Sequence, residues 1–160
     1  MAIRVKTTIK RGVNRILKKT KKNFGNDLKS EIVDLVVEQI TSGKSPVSPR
    51  TGGGKGKGRF VQYSKSYQKL KGRSGPVDFV VSGKFLGSMV AKQDSKGNVQ
   101  IGFSNKKASD IFDGHSAKGS KHNKNLPLRR LLPANGEFFV KSIMNRMNRI
   151  FSKAFKKSNR

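Results

Sequence analysis

The 160-residue sequence carries 36 lysines and arginines against 9 acids, a formal net charge of +27, and has no cysteine. The length fits one domain, residues 1–160, with a modest core, and the lack of cysteine excludes disulfides, thiolate metal ligands and a cysteine nucleophile. So large a positive excess attracts polyanions at moderate salt, which makes nucleic acid, acidic protein surfaces and anionic lipid the candidate partner classes.

The opening residues, Met1 to Lys6, lack the apolar stretch of a signal peptide. No window approaches the roughly 18 consecutive apolar residues of a membrane span, so a soluble, intracellularly made protein is expected. Ile3 to Val5 suit a short strand. Ile9, Val13, Ile16 and Leu17 then recur at helical spacing among Lys10, Arg11, Arg15, Lys18, Lys19, Lys21 and Lys22, which predicts a basic helix. A second helix is expected from an Asn26 cap, with Asp27 favoured by the helix dipole, to about Thr41. On it Leu28, Ile32, Leu35, Val36 and Ile40 form one face, and Asp27, Glu31, Asp34 and Glu38 share the opposite side. This acidic stripe serves either as a solvated face balanced by nearby lysines or as an inter-subunit surface for basic copies of the same chain.

Between Ser42 and Gly75, glycines alternate with Lys and Arg, and Pro46 and Pro49 interrupt regular structure, so residues 42–75 are read as an extended basic arm. Within it Arg59, Phe60, Tyr63, Lys65, Tyr67 and Lys69 interleave cations with rings. Such a pattern suits a single-stranded nucleic-acid platform, in which cations track phosphates and rings stack on bases. It equally suits an arm that docks on a protein neighbour. A phosphate loop is excluded, because Gly43-Lys44-Ser45 has Glu38 where the motif needs its first glycine.

Val77 to Val81 reads as a strand, and Ser82 to Met89 as a short helix or turn carrying Phe85, Leu86 and Met89 inward. The turn Ser95-Lys96-Gly97-Asn98 separates a strand near Met89 to Lys92 from Val99 to Phe103, whose alternation predicts a hairpin. Ala108 to Asp113 makes one helical turn before a polar loop, Gly114 to Asn125, and Leu126 to Pro133 is extended and apolar. A last helix is marked by Pro133, Asn135 and Glu137. Val140, Ile143, Met147, Ile150, Phe151 and Ala154 form its buried face, cations cover the rest, and residues 156–160 are read as a flexible basic tail. Core packing accounts for that apolar set, an interfacial membrane anchor being the alternative. The resulting fold class is α+β: a small antiparallel or mixed β-sheet packed against long N- and C-terminal helices, with a long Gly/Lys-rich loop.

Catalytic groups are sparse. His115 and His122 lie near Asp110 and Asp113 in one polar region, but their spacing matches no metal motif. No enzyme activity, cofactor or metal is expected.

The order of several segments carries a resemblance. Gly43-Lys44-Ser45-Pro46-Val47, Gly58-Arg59-Phe60 with Tyr63-Ser64-Lys65-Ser66-Tyr67, Pro76 to Leu86, and Val99-Gln100-Ile101-Gly102-Phe103 follow one another as in tailed-bacteriophage neck proteins. Ala108-Ser109-Asp110-Ile111-Phe112-Asp113-Gly114 and Leu126 to Pro133 look like that family's "A-x-I-H-x-G" and "P-x-R-x-x-L-P" segments. Most of residues 43–143 resembles the virion morphogenesis, or tail-completion, family in the right order. Asp113 departs from the usual polar residue, the Gly52 to Gly58 run is long, and the charge is extreme.

The resemblance implies a structural virion protein, a neck or tail-completion subunit assembled in the host bacterial cytoplasm. Such subunits form a homo-oligomeric ring, on the order of six or twelve copies, joining the head connector or portal adaptor to the tail tube or terminator. It also implies that Phe60, Tyr63 and Tyr67 anchor the arm on neighbours while lysines reach acidic surfaces. DNA crossing the channel is a further polyanion for the basic residues, no membrane is involved, and the alternative function is a basic nucleic-acid-binding protein.

Overall fold

A computed structural model describes residues 2–48, 58–60, 62–70, 72, 79, 83–116, 129–134 and 137–159. The elements in chain order are α1 (Ala2–Thr41), α2 (Lys65–Leu70), α3 (Lys84–Gly87), β1 (Met89–Gln93), β2 (Val99–Phe103), α4 (Lys106–Ser116) and α5 (Lys141–Ser158). A two-stranded antiparallel sheet packs against the long N- and C-terminal helices, an α+β arrangement.

The expected strand at Ile3 to Val5 and the break at Asn26 are both replaced by one continuous helix of 40 residues. Asn26 is interior to it, so it caps nothing. The preceding Gly25 is required for packing instead: a Cβ there would run into the Gln93 side chain and the Gly97 carbonyl of the hairpin. The helix stops where the sequence indicates. Gly43 takes φ 77°, its N–H donates to the Ile40 carbonyl and the Lys44 N–H to that of Gln39. This is the Schellman closure that a glycine after the last turn permits.

The expected hairpin forms, in a register that sets Met89 opposite Phe103 and Gln93 opposite Val99. Its turn is closed by Gly97 N–H to Asp94 O and Asp94 N–H to Asn98 O, with Gly97 at φ 80°. A three-residue loop of this kind needs a left-handed residue in its last position, which glycine supplies without strain.

Leu28, Ile32, Val36 and Ile40 of α1 are buried together with Ile143 and Ile150 of α5, Leu86, Met89 and Leu131. Each such aliphatic side chain contributes about 1.5–3 kcal/mol by leaving water. Beside this aliphatic centre runs a row of rings drawn from five segments. Phe60 lies edge-on to Phe79 at 5.2 Å, Phe79 is 6.0 Å from Phe85, Phe85 stacks on Phe103 at 5.1 Å, and Phe103 meets Phe112 at 5.4 Å.

Helix α4 is longer than the single turn expected, because the Asn105 side-chain oxygen accepts the Ala108 N–H and caps it. Helix α5 begins later than expected. Residues 137–140 stay extended because Phe139 bridges to Val47 and the Val140 N–H donates to the Pro46 carbonyl. Glu137, expected near a helix start, instead accepts the Ala134 N–H and pairs with Arg130 at 3.5 Å. At its far end α5 continues through Ser158, whose buried hydroxyl accepts from the Asn23 amide at 3.0 Å. Lys156 and Lys157 therefore belong to a packed helical turn.

The expected strand at Val77 to Val81 lies outside the described residues except for Phe79, which sits in the left-handed region at φ 57° and in no strand. Most of the 42–75 arm's glycine run is likewise outside them. Its two described ends are joined: Lys44 bridges to Arg59, and the Ser45 N–H donates to the Gly58 carbonyl.

Candidate interaction surfaces

The arm's aromatic residues turn inward. Phe60 is buried in the chain's own core. The Tyr63 hydroxyl accepts the Phe79 N–H at 3.2 Å, its ring lies 5.1 Å from the Arg129 guanidinium, and the half-buried Tyr67 ring sits 4.8 Å away. Ser64 caps α2 by accepting the Tyr67 N–H. Arg59, Lys65 and Lys69 face solvent, as does Leu70 at 81% exposure. Among the described residues of the arm, polar side chains, cations and one leucine thus face outward, and Phe60 is withdrawn from outside contact.

Arg129 is itself buried and links distant segments. Its N–H donates to the His115 carbonyl, and its guanidinium also approaches the Phe79 ring at 6.0 Å. Burial holds its pKa below the usual arginine value. His115 lies edge-on to Phe79 at 5.0 Å, and burial, with Arg129 nearby, pushes its pKa down to about 4. His122 lies outside the described residues, among which no group of three or more His, Asp or Glu is placed to hold a metal.

The four acids expected in one stripe divide in use. Helix α5 packs antiparallel along α1, with Arg146 beside Glu31, Phe151 beside Phe24 and Ser158 beside Asn23. The stripe therefore flanks α5 instead of lying fully opposite the core. Glu31 is taken by Arg146 at 2.7 Å within the chain. Asp27 is half-buried one turn away, and Asp34 and Glu38 remain exposed.

Because α5 ends against Asn23, the first turns of α1 run beyond it. From Ala2 to Asn23 the helix extends about 30 Å at 1.5 Å per residue. Val13 and Leu17, one turn apart on this overhang, are 49% and 53% exposed. Arg15, Lys18, Lys19, Lys21 and Lys22 on the same stretch are exposed as well, and the chain has no acid before Asp27.

A second basic feature lies on α5. Arg146, Arg149, Lys153, Lys156 and Lys157 are all exposed and recur at steps of three and four, which places them on one face of α5. Arg146 is the member with an ion pair among the described residues. Phe151 and Phe155 project from a different side. The i, i+3, i+7 spacing was the available signal.

No described helix is long and apolar enough to cross a membrane. No family model, curated protein or solved structure matches the chain.

Proposed function

We propose that this chain is a structural assembly subunit of the neck or tail-completion class, which builds a closed homo-oligomeric ring between the head connector and the tail of a tailed phage. The observation that carries this reading is the charge polarity of α1. Its overhanging N-terminal part is wholly basic and exposes Val13 and Leu17, whereas Asp34 and Glu38 stand exposed and unpaired among the described residues toward its C-terminal end. A surface whose complement lies elsewhere on the same molecule makes head-to-tail contacts, and these close into rings when the rotation permits. The segment order resembling neck proteins supplies the biological setting. DNA passing through the ring is a further partner for the basic faces.

The test is the mass of the full chain by light scattering, in high salt after nuclease treatment, alone and with the connector and tube proteins of the same virus. A ring of defined mass, alone or on addition, supports the assignment. A monomer that ignores both proteins overturns it, and nucleic-acid binding at lower salt by that monomer would establish the alternative, a basic nucleic-acid-binding protein.

A further inference from the structure

We propose that the exposed face of α5 formed by Arg149, Lys153, Lys156 and Lys157 is a binding surface for the phosphate backbone of duplex DNA, independent of base sequence. Lysines in a last helical turn are favoured by the helix dipole, which accounts for Lys156 and Lys157. It does not account for Arg149 and Lys153, which lie further back than the dipole reaches. Nor is any of the four paired with an acid among the described residues, Glu31 being engaged by Arg146.

The antiparallel register strengthens the field. With Phe151 against Phe24 and Ser158 against Asn23, α5 ends where the acid-free part of α1 begins, and the exposed Lys19, Lys21 and Lys22 follow just beyond its last turn. Cations gathered on one face of a helix cost stability through self-repulsion, a cost removed when a polyanion sits over them. From Arg149 to Lys157 the face runs about 12 Å along the helix. A duplex carries one phosphate charge per about 1.7 Å of its axis, so that length presents more anions than the four cations need.

Chemistry also selects the form of nucleic acid. Single strands are held by stacking bases on rings, and no ring lies on this face: Phe151 packs against Phe24 on another side. A surface of cations without rings contacts phosphates alone, and a duplex offers phosphates with its bases already stacked.

The experiment titrates a fluorescent duplex with the full chain across a salt series. It compares the parent, the variant Arg149→Gln/Lys153→Gln/Lys156→Gln/Lys157→Gln, and a control of equal charge, Lys84→Gln/Lys92→Gln/Lys96→Gln/Lys106→Gln, whose lysines are also exposed. The α5 variant is expected to lose about tenfold or more in affinity and to lower the slope of log K against log salt by about 3.6, roughly 0.9 for each cation removed. The control should retain most of both. Equal losses in the two variants would reduce the effect to net charge and overturn the proposal, as would an oligothymidylate of the same length binding the parent more tightly than the duplex does. Acetylation footprinting of the unmutated complex gives a reading independent of folding: Lys153, Lys156 and Lys157 should be protected, and full reactivity of Lys153 at saturation overturns the assignment. Light scattering of the α5 variant keeps this separate from ring assembly, which involves other residues.

Discussion

Gly25 of α1 lies directly beneath Gln93 of β1, so close that a methyl group at position 25 would meet the Gln93 side chain and stand 2.8 Å from the Gly97 carbonyl oxygen. The same approach lets the Gln93 amide donate to the Lys22 carbonyl at 3.2 Å. In an open helix, glycine to alanine would gain about 1 kcal/mol. Here the added atom must push the hairpin off the helix, and overpacking of this kind costs about 1–3 kcal/mol. Gly25→Ala is therefore expected to lower the urea midpoint, and a raised midpoint would show that the hairpin moves aside freely.

This contact also explains what was legible in the sequence. Gly25-Asn26 looks like punctuation between two helices, because a sequence displays the propensity penalty of glycine but not the neighbour that needs it small. The hairpin at Met89 to Phe103 was readable since alternation and a Gly-containing turn are both local. The start of α5 was not, because Phe139 is held extended by Val47, 92 positions earlier. Among candidate surfaces, the α5 cations carry a local periodic signal. The inward turn of Phe60 and Tyr63 depends on Phe79, His115 and Arg129, which only tertiary structure brings together.

The acids of α1 separate stability from assembly. Glu31 and Arg146 are 36% and 44% exposed at the side chain, so Glu31→Gln is expected to cost no more than about 1 kcal/mol in denaturant unfolding. Asp34→Lys/Glu38→Lys touches no intramolecular pair among the described residues and should leave the unfolding midpoint in place. If neighbouring copies meet through these acids, the double variant will shift the light-scattering mass toward monomer, most strongly at low salt. Unchanged assembly would remove Asp34 and Glu38 from the interface.

Phe60 and Leu70 make opposite predictions although both lie in the basic stretch 42–75. Phe60 is 7% exposed and packs on Phe79, so Phe60→Ala is expected to destabilise the fold by about 3–5 kcal/mol. Leu70 is 81% exposed, and Leu70→Ser should change stability by less than about 0.5 kcal/mol. A partner that docks on α2 would reveal itself as weaker binding by the Leu70 variant in a pull-down with unchanged melting. A Phe60→Ala protein that melts like the parent would contradict its place in the core.

His115 sets an acid limit on stability. Its imidazole is held neutral by burial, with Arg129 adding to the effect, so its pKa falls from 6.5 to about 4 in the folded chain. Between those values the unfolded chain binds a proton that the folded chain does not, so stability rises with pH across this window. The contribution is complete above the unfolded value and is lost as pH drops toward 4. After discounting for the part of the ring that solvent screens, the loss is about 1–2 kcal/mol. Carboxylates act over an overlapping range: the Asn98 N–H bonded to Asp94 lowers that carboxyl's pKa, and its contribution is lost as pH falls through the depressed value. The difference between parent and His115→Gln isolates the imidazole, since every other group is common to both. Urea midpoints measured from pH 7 down to pH 4 should fall less steeply for His115→Gln, and parallel curves would show that His115 takes up its proton as readily folded as unfolded.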